Sequence, residues 1–195
     1  MTKQPGAVMS VRQYMELLER ADVRYEYWNG EVVAMAGASD RHNLISASIL
    51  SNLWQQLLKS DCKPVGSDQL IRARGADRYV FADVVVRCKE ARIEGDLVPA
   101  LNDPVVVFEV LSPSTEATDR STKFEYYSTF ESLKELVLVS QSERLVEHFY
   151  RSSIAEAWRV KHLFHDSDEL VLESVGARLT VATIYEAVQW DEAEV

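Results

Sequence analysis

Hydrophobic residues recur at helical spacing in two stretches of the N-terminal third of the chain. The first predicts a short helix from Val11 to Glu19, for which Ser10 is a good N-cap. The second is a wider stripe from Ile45 to Leu57, and it predicts a longer helix that Ser39 or Asp40 would cap.

Between these helices, the dipeptide Asn29-Gly30 separates two β-prone runs, Tyr25 to Trp28 and Glu31 to Met35. Both turn positions of the tightest hairpin require positive φ, which Asn and Gly tolerate best, so the sequence predicts a β-hairpin here.

Three strands are predicted next: Pro64 to Arg72, Tyr79 to Cys88 and Pro104 to Leu111. The last two are almost entirely apolar, which is typical of strands that are covered on both faces in the middle of a sheet. A polar connection from Lys89 to Asp103 separates them.

The C-terminal half continues this mixture of helices and strands. Thr118 is predicted to cap a helix that runs to about Phe130, and Thr183 to Val188 reads as a closing helix. The further predicted strands are Glu135 to Val139, Arg144 to Arg151, Ala157 to Phe164 and Glu169 to Glu173. This order predicts an α/β fold, a mixed central sheet flanked by helices, as a single domain over residues 10–190 that follows a flexible arm over residues 1–9.

Composition is that of an ordinary globular protein, and a reducing cytoplasm is the default expectation for its compartment. The chain has no long uncharged apolar run, so we expect no membrane span. Met1 to Met9 lacks the basic start and the apolar core of a secretory signal. In a reducing compartment Cys62 and Cys88 are expected to be buried apolar residues rather than a disulfide.

The formal net charge of −10 argues against a broad phosphate-binding surface, because sequence-independent nucleic-acid binding needs clustered Lys and Arg. A nucleic-acid function would therefore need a local basic patch, a metal ion or the cleft of a dimer. Aromatic residues on predicted edge strands indicate either a homodimer interface or satellite core packing; they are Tyr27, Trp28, Phe149, Tyr150 and Trp158.

Two carboxylates interrupt the two most apolar strands, and they carry the main chemical signal. Asp83 lies within Tyr79 to Val86, and Glu109 lies within Val105 to Leu111. A buried carboxylate costs several kcal/mol unless it is paired or binds a cation. Two of them on neighbouring strands favour a shared divalent ion such as Mg²⁺, whose bound water could attack a phosphodiester. The alternative is that each meets an arginine or a backbone N–H.

Other polar residues are weaker candidates. Lys123 follows Asp119 by one helical turn, and an exposed i,i+4 pair is the ordinary explanation for that spacing. Glu31, His42 and Asp68 are more often capping or surface residues, and Glu26 is expected to be an exposed hairpin charge.

Several segments match a known family in order. The most specific is Val107-Phe108-Glu109-Val110-Leu111-Ser112-Pro113-Ser114-Thr115, and the others are Arg24 to Tyr27, Gly30 to Val33, Ala36 to Ala38, Arg41 to Asn43, Ser67-Asp68, Asp83 to Val86, Asp119 with Lys123-Phe124 and Tyr127, and Leu136 to Val139. Over roughly Val11 to Val188 the chain resembles the Uma-two family of restriction endonucleases, which belongs to the PD-(D/E)XK nuclease superfamily.

This resemblance implies a restriction-endonuclease-like core and a nuclease site that uses Mg²⁺, or Mn²⁺ in its place. Asp83 and Glu109 match the two metal-binding acids of the core strands. Lys123 matches the lysine that this family carries on the next helix, where it would orient the attacking water or stabilise the transition state. Glu31 and His42 match accessory positions near the site, and Ser67-Asp68 is one of the matching segments.

The sequence departs from the superfamily signature at two positions. Ala82 stands where proline usually precedes the first acid, and Leu111 stands where a typical member has lysine. The second departure leaves catalysis dependent on Lys123. Two functions follow as hypotheses: a metal-dependent endonuclease acting on nucleic acid, most simply DNA, or a non-catalytic binding or regulatory protein that retains the nuclease fold.

Overall fold

The computed structural model describes residues 8–35, 37–73, 75, 77–88, 93–94, 98–113 and 116–190, with residues 93 and 94 described by their backbone alone. Residues 1–7 of the predicted N-terminal arm lie outside this description. Met9, at the described end of that arm, donates its N–H to Gly30 O at 2.9 Å and accepts a hydrogen bond from the Tyr27 hydroxyl.

The N-terminal elements begin and end close to where the sequence predicts them. Helix α1 spans Val11–Leu18, and Ser10 forms a reciprocal capping box with Gln13. Strands β1 (Tyr25–Trp28) and β2 (Glu31–Ala34) form the predicted hairpin, in which Asn29 and Gly30 both adopt positive φ. Helix α2 spans Asp40–Gln56, and the Ser39 side chain caps it by accepting from His42 N.

Two runs that the sequence presents as single strands are each divided between two sheets. Pro64 to Arg72 forms β3 (Lys63–Gly66) and β4 (Leu70–Ile71), and Tyr79 to Cys88 forms β5 (Arg78–Phe81) and β6 (Val84–Arg87). In the second run, the chain leaves the strand geometry at Ala82 and Asp83, where the Asp83 carboxylate accepts the backbone N–H of Val110 at 2.7 Å. The prediction of continuous strands was wrong because it considered only the apolar run.

The remaining elements follow the predicted order, with additional short strands. The predicted polar connection carries β7 (Ile93–Glu94) and β8 (Ala100–Leu101), and β9 spans Val106–Leu111. The strands of the C-terminal half are β10 (Glu135–Ser140), β11 (Val146–Tyr150), β12 (Arg159–Leu163), β13 (Glu169–Leu172) and β14 (Ala177–Thr180). Helix α5 covers Val181–Ile184, and Thr180 is its N-cap.

The described strands form two mixed six-stranded sheets and a separate hairpin. The first sheet has the order β2-β1-β5-β4-β8-β7, the second has the order β12-β11-β10-β9-β6-β3, and β13 pairs with β14. In the second sheet β9 runs parallel to β10 and antiparallel to β6. The predicted α/β fold with mixed sheet and flanking helices is confirmed.

Alternation along β9 divides the core into two layers. Phe108 and Val110 pack with Ile45 and Ile49 of α2, whereas Val107 and Leu111 face the opposite side. On that opposite side they meet a helical segment of three parts: α3 (Glu116–Thr118), one π-helical turn (Asp119–Lys123) and α4 (Phe124–Ser128). Thr118 has helical φ and ψ and makes no side-chain cap, so its prediction as the N-cap was wrong.

Cys62 and Cys88 are joined by a disulfide, which corrects the prediction of two unpaired thiols. The residues flank the β3–β6 ladder, in which Lys63 pairs with Arg87, so the cysteines face each other one step beyond it. The sequence prediction missed this pair because no local pattern reports the register between strands that lie far apart in the chain.

Four of the five aromatic residues that suggested a homodimer pack against the core of the chain itself. Tyr27 is buried, and Trp28, Phe149 and Trp158 pack against the layer that contains Tyr126 and Tyr127. Satellite core packing, the alternative to a homodimer interface, therefore describes these four residues, and Tyr150 is half-buried beside Lys161. In the part of the chain that the structure describes, no helix has the length and apolar character needed to cross a membrane.

Candidate active site

Asp83 and Glu109 come together at the same end of two neighbouring strands. In the β6–β9 ladder Val84 pairs with Phe108 and Val85 pairs with Val107, and one further step of this register sets Asp83 opposite Glu109. Glu109 lies on the same face of β9 as Val107 and Leu111, so its side chain points toward the layer of α4.

Asp83 lies at the more open end of the cluster. Its Oδ2 atom accepts the Val110 N–H and lies 3.2 Å from Nε2 of His42, at the start of α2. The alternative in which a backbone N–H satisfies the acid therefore holds for one oxygen of Asp83. Its Oδ1 atom makes no hydrogen bond to the residues that the structure describes.

Glu109 is buried and carries two strong contacts on one oxygen. Its Oε1 atom accepts from the Tyr127 hydroxyl at 2.6 Å and from Lys123 Nζ at 3.2 Å. Burial raises the pKa of Glu109 well above its usual range; Lys123 and the Tyr127 hydrogen bond oppose that rise, while Asp119 and Asp83 add to it. Its second oxygen, Oε2, accepts no hydrogen bond within the described part of the chain.

Lys123 is buried at the centre of the cluster, which excludes the exposed i,i+4 pair that its spacing from Asp119 suggests. Its Nζ lies 3.1 Å from Glu26, 3.2 Å from Glu109 and 3.5 Å from Asp119, and it also donates to Phe81 O. Burial alone would lower the pKa of this ammonium. The carboxylates of Glu109, Glu26, Asp119 and Asp83 outweigh that effect and raise the pKa well above its ordinary value, so the group stays charged.

Asp119 and Lys123 both face inward from one π-helical turn. The N–H of Phe124 bonds to Asp119 O, five residues earlier, and both Asp119 and Lys123 are buried. A π turn is wider than an α turn, and such turns occur frequently at functional sites.

Glu26 is the residue that the sequence prediction missed. It was expected to be an exposed hairpin charge, yet it is 1% exposed and contacts Lys123 from β1. Its carboxylate also accepts from Phe81 N at 3.3 Å and from Trp28 Nε1 at 3.2 Å. An acid inside the aromatic run Tyr25 to Trp28 gives the same signal that singled out Asp83 and Glu109.

The accessory candidates divide between the site and the surface. His42 contacts Asp83, and its Nδ1 atom is buried without a hydrogen-bond partner among the described residues. Glu31 is exposed at the start of β2, where it lines a cavity of about 570 Å³ together with Trp28, Arg78, Thr118 and Thr122. Asp68 is 93% exposed and pairs with Arg24, so the structure does not bring it into the cluster.

The cluster contains many carboxylate oxygens, which are potential metal ligands, and few cations. Lys123 lies within the field of four carboxylates. No group of three or more His, Cys, Asp and Glu side chains in the described ranges is arranged to hold a metal ion. Mg²⁺ commonly binds through one or two carboxylates and keeps several waters, so a pair of acids with one unbonded oxygen each fits it chemically.

The model of the Uma2 family, described as "Putative restriction endonuclease", matches residues 11–182. The chain belongs to the Uma2 family.

Two relatives come from Synechocystis sp. (strain ATCC 27184 / PCC 6803 / Kazusa). The uncharacterized protein slr1290 is 31% identical over 181 residues, which is 93% of each chain. The uncharacterized protein sll1609 is 26% identical over 163 residues, which is 84% of this chain and 92% of that protein.

A solved structure shares the Uma2 fold. It is the crystal structure of a putative nuclease belonging to DUF820 from Anabaena variabilis ATCC 29413, with a TM-score of 0.68 over 89% of this chain and 97% of that one. Sequence identity is 12%, so this likeness shows the fold and carries no residue-level assignment.

Proposed function

We propose that this Uma2 protein is a divalent-metal-dependent endonuclease that hydrolyses phosphodiester bonds in nucleic acid, with Asp83 and Glu109 as metal ligands and Lys123 as the catalytic cation. The observation that carries the proposal is the position of Lys123 among Glu26, Glu109 and Asp119, next to the Asp83 end of the cluster. A charged lysine that is held beside acids able to bind a divalent ion is an arrangement that can support phosphodiester hydrolysis.

The residues of the chain have distinct tasks in this proposal. Bound Mg²⁺ or Mn²⁺ would neutralise the acids and polarise the phosphodiester. Lys123 stays protonated because the surrounding carboxylates raise its pKa, so its ammonium can donate to the attacking water or to the charge that develops on the phosphate. Glu26 and Asp119 position Lys123, and Tyr127 positions Glu109 by donating to its Oε1 atom.

His42 and Glu31 have supporting positions in the same proposal. His42 is a positioning residue for Asp83, because its Nε2 atom lies 3.2 Å from the carboxylate. Glu31 lines the cavity that Thr118 and Thr122 border from the segment that carries Lys123, which makes that cavity the candidate path for the nucleic-acid strand. Asp68 has no part in the mechanism, because its side chain is exposed and paired with Arg24.

The test is a cleavage assay with single-stranded and double-stranded DNA and RNA in the presence of Mn²⁺ or Mg²⁺. Asp83→Ala should abolish cleavage, whereas Asp68→Ala removes an equal charge from an exposed position and should leave cleavage unchanged. Cleavage that survives Asp83→Ala would assign the activity to another site or to a contaminant. If no substrate is cut and calorimetry detects no metal binding, the non-catalytic binding protein is the better description.

A further inference from the structure

A second cavity, lined by several charged side chains, lies on the other face of the second sheet from Glu109, at the opposite end of its strands. It has a volume of about 630 Å³, and its floor comes from the start of β10, the end of β11 and the start of β12, with the β13–β14 turn beside it. Glu135 pairs with Val106, three residues before Glu109 on β9, and Val106 belongs to the layer of α2. This cavity is therefore separate from the proposed nuclease site.

A buried carboxylate–imidazole pair forms part of its wall. Glu135 is 3% exposed and His148 is 4% exposed, and His148 Nε2 lies 2.6 Å from Glu135 Oε2. The other oxygen of Glu135 accepts from the N–H of Ser174 at 2.9 Å and from its hydroxyl at 2.6 Å. Both oxygens of Glu135 are therefore occupied, and the carboxylate requires Nε2 of His148 to be the donor.

With Nε2 as the donor, the neutral form of the His148 ring presents its second nitrogen, Nδ1, as an acceptor. In a neutral imidazole one nitrogen donates and the other accepts. Nδ1 of His148 has no hydrogen-bond partner among the described residues, and the residue lines the cavity. A ligand with an O–H or N–H group would satisfy this atom.

The cationic side of the cavity is provided by the edge strand β12. Arg159 and Lys161 are exposed, lie on one face of this strand and pair across to Tyr150 and His148. Neither of these two side chains forms an ion pair with a carboxylate in the described part of the chain. Two other cations line the cavity, but they donate to backbone carbonyl oxygens: Lys134 donates to Ser152 O, and Arg151 donates to Leu133 O. The Lys161 ammonium lies 5.4 Å from the centre of the Tyr150 ring, which leaves its donors available.

Two exposed acids complete the lining, Glu156 and Glu173. A bare anion would meet repulsion from these groups, whereas hydroxyl groups on a ligand would donate hydrogen bonds to them. The cavity thus combines two unpaired cations with acceptors for hydroxyl or amino groups, within a protein whose net charge is −10.

We propose that this cavity binds a small phosphate ester that carries hydroxyl groups, of the size of a nucleoside monophosphate. Arg159 and Lys161 would hold the phosphate, for which a guanidinium and an ammonium are suited, and His148 with the acids would accept from the remainder of the ligand. The volume lies in the range of small-molecule sites, roughly 300–1,000 Å³. The proposal does not depend on nuclease activity.

The test is calorimetric titration of the full-length chain with AMP, inorganic phosphate and adenosine, in the presence of a chelator so that no divalent ion contributes. AMP should bind more tightly than either of the others. The double variant Arg159→Ala/Lys161→Ala should weaken AMP binding by about tenfold or more, because it removes two charge-assisted contacts. Arg20→Ala/Lys59→Ala removes the same charge from exposed positions outside the cavity lining and should bind AMP like the unmodified chain.

A second measurement locates the ligand. The ¹⁵N resonance of His148 Nδ1 should shift when AMP is added, and Asp83→Ala should leave both this shift and the affinity unchanged. The proposal is overturned if AMP and phosphate do not bind, if adenosine binds as well as AMP, or if the two double variants bind AMP equally.

Discussion

Glu26 and Lys123 form an ion pair of 3.1 Å in which the side chains are 1% and 5% exposed. The acid belongs to the N-terminal hairpin of the first sheet, and the lysine belongs to the helical segment that covers the second sheet. Since Lys123 also contacts Glu109 of β9, the site is complete only when the two sheets have docked together.

Removal of the charge of Glu26 tests how much this ion pair between the two sheets contributes to the stability of the fold. Glu26→Gln should lower the free energy of unfolding by about 3–5 kcal/mol, because it leaves a buried ammonium with one compensating charge fewer. Glu16→Gln, which breaks an exposed pair with Arg12, should cost less than about 1 kcal/mol. Urea denaturation of both variants makes the comparison, and equal small losses would show that Glu26 does not stabilise the fold.

Lys123→Met should abolish most of the proposed nuclease activity, by about a hundredfold or more, because the donor to the reacting phosphate or water is lost. The same change leaves Glu26, Glu109 and Asp119 without their shared cation, so the variant should also be less stable. Added Mn²⁺ should recover part of that stability, and denaturation with and without metal measures it. An active Lys123→Met variant would exclude the lysine from catalysis.

Metal binding should depend on pH through Glu109. The pKa of Glu109 is raised in the folded chain, so as pH rises the unfolded chain releases this proton first. The stability that the protonated group contributes to the folded chain is therefore lost as pH rises through the folded pKa. A metal ion needs the deprotonated carboxylate, so Mn²⁺ affinity should increase over the same interval.

Tyr127→Phe probes this pH dependence with little change of shape. The hydrogen bond from Tyr127 lowers the pKa of Glu109, so its loss should move the pH profile of Mn²⁺ binding to higher pH. Tyr126→Phe removes a buried hydroxyl that contacts Arg78 O and Ala73 N instead, and it should leave the profile in place. Identical profiles in both variants would contradict the effect of Tyr127 on the pKa of Glu109, and profiles independent of pH would contradict the role of Glu109 as a ligand.

The disulfide should contribute measurably to stability. The two cysteines are separated by 26 residues, and a loop of that size corresponds to about 3–4 kcal/mol of lost chain entropy in the unfolded state. Cys62→Ser/Cys88→Ser should therefore lower the free energy of unfolding by about 2–4 kcal/mol, and reduction of the unmodified chain should give the same result. Two titratable thiols in the non-reduced, denatured protein would show that the bond is absent.

The sequence predicted those strands, turns and candidate site residues that depend on a local pattern. The apolar runs identified β9 and β10, the Asn29-Gly30 dipeptide identified the hairpin, and acids inside apolar runs pointed to Asp83 and Glu109. Each of these signals is confined to a few consecutive residues, so no knowledge of distant contacts was needed.

Apart from the N-cap at Thr118, the main failures involve contacts between distant segments. The prediction that Glu26 is exposed was wrong. Alternating aromatic and polar residues in a hairpin strand are typical of a half-exposed strand, and the local sequence does not show that the helical segment covers this one. The division at Ala82 and Asp83 could not be predicted, since it follows from a hydrogen bond to Val110 and from the separation of the two sheets. Lys123 was interpreted from its spacing alone as an exposed pair, and the resemblance to a family was needed to single it out.

The π-helical turn identifies a place where the helical segment can change length by one residue. A π turn contains one residue more than the α turn that it replaces, so a deletion of Ser121, which is exposed, would allow an uninterrupted α-helix. Because each kind of turn completes one full rotation, the residues on either side of the deletion would keep their orientation. Asp119 and Lys123 would then be three positions apart, a spacing that still places two side chains on one face of an α-helix. The carboxylate cluster should therefore tolerate the loss of this one amino acid, whereas a deletion within the regular helix α2 would rotate one half of that helix against the other by about 100°.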